Sequence, residues 1–428
     1  MLRIGFAFIA LAFSWRNRGA IVPAVVLVSS TLIAATLLLA TDDLFPFSLT
    51  LLVLAGAAEF AACRDHAPGS RWISAAAADS AVLFFSWLLA SDHLLPEGYV
   101  PTSAKAAFAV QLLLIAIYIT MAFSQTLLRR RTLSFPEMGQ VACALLIGIG
   151  GFAWVFGPNA AAMVALGISS LIGGVLSYAL AFALFEQSKW NFRAWSSYGL
   201  VLMLAGTYLL FSGFWILWCG CGVVCCYTAM ATRRPTLGLH GVVYLLLSSA
   251  VSGALSEPFS LLLGSGTVQV RWLVPLGVLA AATLSWAAIA RSWPGNVGRW
   301  RKQAASFAIS TNIVWILSGF VMRALIAIWR FAVERPNDHI PTDTLGTVVL
   351  TIFAVALAWV GTRGITEELV WTAYLFMGLG AWKLVTRDFL NEHNFALVIS
   401  LLFYGGALIL LPQVIHRKWP RESATVQQ

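Results

Sequence analysis

Ionisable side chains are scarce in this chain, and several fall inside long apolar runs. Burying a charge at such a depth costs at least a few kcal/mol, so the group normally faces a partner or a water-filled cavity. Asp79 lies in the run 71–91, Glu59 near the end of 46–62, and Arg323 within 304–329. Glu257 immediately precedes Pro258, after the pair Ser252-Gly253. A carboxylate at the depth of Asp79 can carry a proton through a transport cycle. The alternative is an ion-pair network joining Asp79 and Glu59 to Arg64 and Arg71 of the short loop between their helices. Pro258 removes a backbone donor and is expected to end its helix, leaving Phe259 to Leu263 too short to span. Glu257 then stands either at a plain helix end or at a break of the kind that forms transporter sites. Arg323 either binds an anion or snorkels its stem to the interface.

Three further groups of residues have types that can do chemistry. Asp42 and Asp43 form an acidic pair in the first outward loop. Membrane glycosyltransferases that use polyprenyl-phosphate sugars carry acidic residues in such a loop, as base or metal holder; the likeness is confined to this pair, which is also ordinary topology. The string CGCGVVCC holds Cys219, Cys221, Cys225 and Cys226, and soft thiolates suit Cu(I). At about 100° per residue, however, Cys219 and Cys226 fall on one side of a helix and Cys221 and Cys225 on another. One helix therefore cannot gather all four sulfurs, and small apolar packing is the reading taken. Cys63 and Cys143 are isolated, so no disulfide framework is indicated. The histidines, at 66, 93, 240, 339, 393 and 416, are scattered in loops or at helix ends without metal-ligand spacing. No nucleophile elbow, phosphate loop or HExxH motif occurs. No catalytic residue is assigned, and neither a metal nor a cofactor is expected.

The elements that must position these residues follow from composition. Hydrophobic residues make up 60% of the chain and charged residues 11%, far from the balance of water-soluble domains. Apolar segments of spanning length occur at 20–40, 46–62, 71–91, 104–128, 137–157, 160–185, 195–211, 214–231, 237–256, 272–290, 304–329, 343–361, 367–385 and 395–415. The expected fold is an all-α polytopic transmembrane bundle of about fourteen spans with no soluble domain. Residues 1–19 are expected to form a short N-terminal interfacial segment, 20–415 a single membrane domain and 416–428 a cytoplasmic tail. Arg3 before the apolar run from Ile4 to Phe13 imitates a secretory signal, but Trp15-Arg16-Asn17-Arg18 follows without a small-residue cleavage site, so it is read as uncleaved.

Most of the 27 Lys and Arg residues fall in alternate loops, including Arg64 and Arg71, Arg129 to Arg131, Arg233 and Arg234, and Arg299, Arg301 and Lys302. The positive-inside rule places those loops and both termini in the cytoplasm. The net charge of +9 is thus a topology signal dispersed among short loops, and no nucleic-acid partner is expected. Trp72, Trp190, Trp195, Trp272 and Trp329 near helix ends read as an interfacial belt. Ser169, Gly173 and Ser177 give the segment 160–185 a smooth stripe, for which Gly148, Gly150 and Gly151 are a candidate partner surface. The strings Trp195-Ser196-Ser197-Tyr198 and Trp371-Thr372-Ala373-Tyr374 are alike, as a parallel repeat or by chance.

Near the C-terminus an apolar glycine-containing helix ends in Lys383, followed by Asp388, a final apolar helix and the basic Arg417-Lys418. This stretch of about 50 residues resembles the C-terminal end of a bacterial family of predicted membrane proteins of unknown function. The resemblance implies fold and membrane location but no activity. On an ideal helix Lys383 and Asp388 stand about 140° apart. Lys383 is therefore expected to snorkel to the outer interface and meet Asp388 or Glu392 beyond the helix end, as a structural pair contributing about 1 kcal/mol at most.

Together these features point to a multi-pass protein of a bacterial inner membrane, transporter- or lipid-flippase-like. The alternatives are a glycosyltransferase using a lipid-linked donor, and a scaffold without enzymatic activity within an envelope complex. Partners are membrane lipids, a small-molecule or lipid substrate, and other envelope proteins in the scaffold case.

Overall fold

The computed structural model describes residues 21–64, 69–90, 98–157, 159–185, 187–263, 272–292, 299–332, 342–363, 368–389 and 394–416. The interfacial segment 1–19 and nearly all of the tail lie outside these residues, as do Arg417, Lys418 and Glu392. Among the described residues every element is helical, as a lipid environment requires, because a spanning backbone must satisfy its own hydrogen bonds.

The first compact unit runs to Ser212 and holds α1 (Ile21–Ala40), α2 (Leu44–Cys63), α3 (Arg71–Ala90), α4 (Ala104–Phe123), α5 (Phe135–Phe156), α6 (Ala160–Leu184) and α7 (Lys189–Leu210). The second, from Gly213, holds α8 (Phe214–Thr232), α9 (Pro235–Val251), α10 (Ser256–Leu262), α11 (Leu273–Ser292), α12 (Arg299–Ala332), α13 (Thr342–Thr362), α14 (Glu368–Lys383) and α15 (Asn394–His416). Short π-helical turns, Ser124–Leu128 and Leu384–Asp388, extend α4 and α14.

Every one of the fourteen apolar segments becomes helical, but not every helix is long and apolar enough to cross a membrane. Eleven described helices are, or twelve if α9 and α10, bent by 57°, count as one span. The described apolar part of α1 is short, Ala24–Ala40. The helix expected from residue 195 begins at Lys189, so polar residues occupy its first turns. Lys189 stays exposed, but Asn191 is absorbed internally. Asn191, 3% exposed, donates to the Arg131 carbonyl at 2.9 Å and accepts from the Leu133 amide at 3.0 Å. Trp195 donates to Thr126 Oγ1 at 3.3 Å and the Tyr198 hydroxyl to the Met138 carbonyl at 3.2 Å. Trp195 is therefore a core residue, 5% exposed, not part of an interfacial belt, whereas Trp371 in the similar string is 68% exposed. The two strings occupy unlike environments.

Close packing rests on small residues, and of the expected stripe Ser177 and Gly173 take part while Ser169 does not. The partner of α6 is α7. The face of α6 turned inward carries Gly167, Ser170, Gly174, Ser177 and Ala181, while Ser169 points outward. A Cβ on Gly174 would stand 2.8 Å from Met203, and one on Gly206 of α7 would stand 2.8 Å from the Gly167 carbonyl oxygen. Gly148 and Gly151 instead let α5 approach Ile115, Gln111 and Ser86 of α4 and α3, and Gly150 meets nothing within 4 Å. In the second unit Gly222 and Gly241 bring α8 against α9, with Cys226 packed on Gly241. Cys219 shares this buried face and lies 3.0 Å from the Ser248 hydroxyl, while Cys221 and Cys225 are half-buried.

Candidate functional sites

The first unit gathers its ionisable groups around α2, α3 and α5. Arg71, at the start of α3, donates to Glu137 Oε1 at 2.8 Å and stands 3.7 Å from Glu59 Oε2. Glu137 occupies the first turn of α5 because its other oxygen caps that helix, accepting from the Ser134 amide at 2.8 Å and the Ser134 hydroxyl at 2.9 Å. The ion-pair reading thus holds for Glu59 and Arg71, with Glu137 as a third member. Arg64 stacks on Phe60, its guanidinium 4.6 Å from the ring centroid. Asp79 is half-buried and outside this network: its Oδ2 accepts from Gln140 Nε2 at 2.7 Å, so its partner is an amide, not a basic group. Beside these groups is a void of about 10 Å³ lined by Glu59, Trp72, Tyr118, Gln125, Glu137 and Gln140 among others.

In the second unit the chain breaks between α9 and α10, earlier than the proline. Gly253 takes a φ of 85°, open to glycine without strain, and the helix resumes at Ser256. Pro258 falls in the first turn of α10, where its missing N–H needs no helical partner. The break is closed by side chains: Trp315 Nε1 donates to the Leu255 carbonyl at 2.9 Å, and Asn312 Nδ2 donates to Ser249 Oγ at 2.7 Å. Arg323 does not snorkel. It is 5% exposed and donates to Glu257 of α10 through Nη2. Trp272 and Phe320 flank its guanidinium, with centroids at 5.3 and 5.8 Å.

At the far end of α10 lies a second buried group. Lys383 is completely buried, contrary to the expected snorkelling, and its ammonium stands 3.4 Å from Asp388 Oδ1. Thr347 of α13 bridges them, accepting from Lys383 Nζ at 3.0 Å and donating to Asp388 Oδ2 at 2.8 Å. The 140° separation fails because Leu384–Asp388 is π-helical: the Phe389 amide bonds the Leu384 carbonyl at 3.0 Å, an i to i+5 step that turns residues five apart toward one side. Gly346 permits the approach of α10, since a Cβ there would stand 2.2 Å from the Leu262 carbonyl oxygen and 3.1 Å from Lys383 Nζ.

The remaining residues take simpler places. Asp42 has a φ of 53° in the tight turn before α2, and its carbonyl accepts from the Val100 amide at 3.2 Å. Asp43 sits at the α2 N-cap position without a capping hydrogen bond. His240 is not at a helix edge in contact with water but buried in α9, 4% exposed. Among the described residues no group of three or more His, Cys, Asp or Glu side chains could hold a metal ion. Sequence reasoning missed Glu137, Gln140 and Thr347. The Ser134-Phe135-Pro136-Glu137 capping signature was available for the first; nothing local marks the other two.

Comparison with known proteins finds no matching family model, no matching curated protein and no matching solved structure.

Proposed function

We propose that this integral membrane protein is transporter- or lipid-flippase-like, in a bacterial inner membrane with both termini cytoplasmic, and moves a small molecule or lipid instead of transforming it. The observation that carries this reading is the discontinuity of α9 and α10. A helix bent by 57° between two apolar stretches exposes backbone groups that lipid cannot satisfy. Here Trp315 takes up a carbonyl of the break, while Arg323 pairs with the carboxylate just beyond it. Lys383 and Asp388 sit at the other end of the same short helix. Ionisable groups gathered round a broken helix supply a binding place that a rearrangement of a few backbone torsions can open or close.

The test replaces Ser260 of α10 with cysteine in a variant lacking the native cysteines. Right-side-out and inverted membrane vesicles are then treated with a membrane-impermeant thiol reagent. Modification from both sides is the expected result. Modification from one side only would return the protein to the scaffold or surface-enzyme reading.

A further inference from the structure

We infer that the groove between the starts of α12 and α14 binds the headgroup of a zwitterionic aminophospholipid, with Glu368 holding its ammonium. This stands on the groove alone and is independent of the transport reading.

Place is the first support. The groove measures about 250 Å³ and is lined by Gln303, Ala304 and Phe307 of α12 and by Glu368 and Trp371 of α14. Gln303 and Glu368 are also the residues at which the stretches able to cross a membrane begin in these two helices. That puts the groove at the level of lipid headgroups. One turn deeper the Thr311 and Thr372 hydroxyls, 3.1 Å apart, tie the two helices together.

The second support is the chemistry of the lining. Glu368 is half-buried and has no ion pair with a described residue. Arg363, on the connection leading into α14, is committed elsewhere: its guanidinium lies 3.6 Å from the centroid of the Trp359 ring. A carboxylate beside an amide and two aromatic rings suits an ammonium group. A primary ammonium has three N–H donors. The Glu368 carboxylate and the Gln303 amide oxygen can accept from it, and the rings of Phe307 and Trp371 attract its charge.

Two further observations select a lipid over a free amine. Arg299, Arg301 and Lys302 form the first turn of α12, immediately before Gln303. A bare cation is repelled by that turn and a bare anion by Glu368, whereas a headgroup that carries a phosphate next to an ammonium answers both signs of charge. Trp371 also heads a row of exposed apolar side chains on α14, continued by Tyr374, Leu375, Trp382 and Val385. This row leads from the groove along the length of the helix, where the acyl chains of a lipid held by its headgroup would lie.

The experiment uses the full chain in detergent, titrated with phosphatidylethanolamine, phosphatidylcholine or phosphatidylglycerol of identical acyl chains, and native mass spectrometry counts the bound lipid. Phosphatidylethanolamine should bind tightest. Glu368→Gln should weaken it by about tenfold or more, the cost of a lost hydrogen bond between charged groups, and leave phosphatidylglycerol unchanged or tighter. Trp382→Leu, on the same exposed row but far from the groove, should keep the preference of the unaltered chain. Equal binding of the three lipids, or an unchanged phosphatidylethanolamine affinity in Glu368→Gln, would overturn the site. Displacement of the lipid by free ethanolamine at comparable concentration would also overturn it, by assigning the groove to soluble amines. If Glu368→Gln does not fold, stepwise N-methylation of the headgroup decides on the unaltered chain: binding that weakens with each methyl supports the site, and indifference to methylation refutes it.

Discussion

Lys383 shows how much depth changes the worth of a single pair. At a wet interface it would contribute about 1 kcal/mol at most. It is fully buried, with Thr347 threading a hydrogen-bond chain to Asp388. Removing one partner of a buried pair leaves the other uncompensated, which costs about 3–5 kcal/mol. Lys383→Met and Asp388→Asn should therefore each destabilise strongly, and the double variant by much less than their sum. Chemical unfolding in detergent measures this cycle; additive effects would show that the two residues do not act together. The candidate groups of the first unit behave differently, since Glu59, Arg71 and Glu137 share one guanidinium and no single deletion there isolates a pair.

At the level of elements, helix pairs meet where side chains are absent. Gly206 is pressed against the Gly167 carbonyl and Leu171, whereas Gly150 faces open space. Lipid offers no hydrophobic drive for helix association, so contact distance between backbones decides how well such a pair holds. Gly206→Ala should destabilise by about 1–3 kcal/mol through overpacking, and Gly150→Ala should be close to neutral. A thermal-unfolding comparison of the two variants checks this, and equal effects would show that the α6 and α7 approach is not what glycine provides. The break between α9 and α10 follows related logic: Gly253 supplies the turn, and Pro258 merely occupies a position where its ring and missing donor are tolerated.

For the whole molecule the number of crossings decides where the termini lie. Eleven or twelve helices pass by length and composition. With α9 and α10 counted as one span there are twelve, and adding α1 and α7 gives fourteen, the even number that the expected placement of both termini in the cytoplasm needs. Reporter fusions after Arg131 and Lys302 should behave as cytoplasmic, and fusions near Asp43 and Asn337 as external. If the fusions flanking α7, after Lys189 and after Ser212, reported the same side, α7 would not cross, and every later loop would be inverted.

Composition and periodicity alone determined the class, the helical runs and most of their boundaries, because lipid leaves a spanning chain few other ways to satisfy its backbone. The ion pairing of Glu59 with Arg71 was also legible, since one short loop joins their helices. Partners distant in sequence were not. Glu137, Gln140 and Thr347 reach Arg71, Asp79 and Lys383 from other helices, and nothing in an apolar run says which faces will meet. The Lys383 and Asp388 geometry was misread because hydrophobic pattern does not reveal a switch from α to π hydrogen bonding. Which stripe of α6 is buried, and against which neighbour, was likewise decided by three-dimensional packing: in lipid all faces are apolar, and the fit of small residues against another backbone does the choosing.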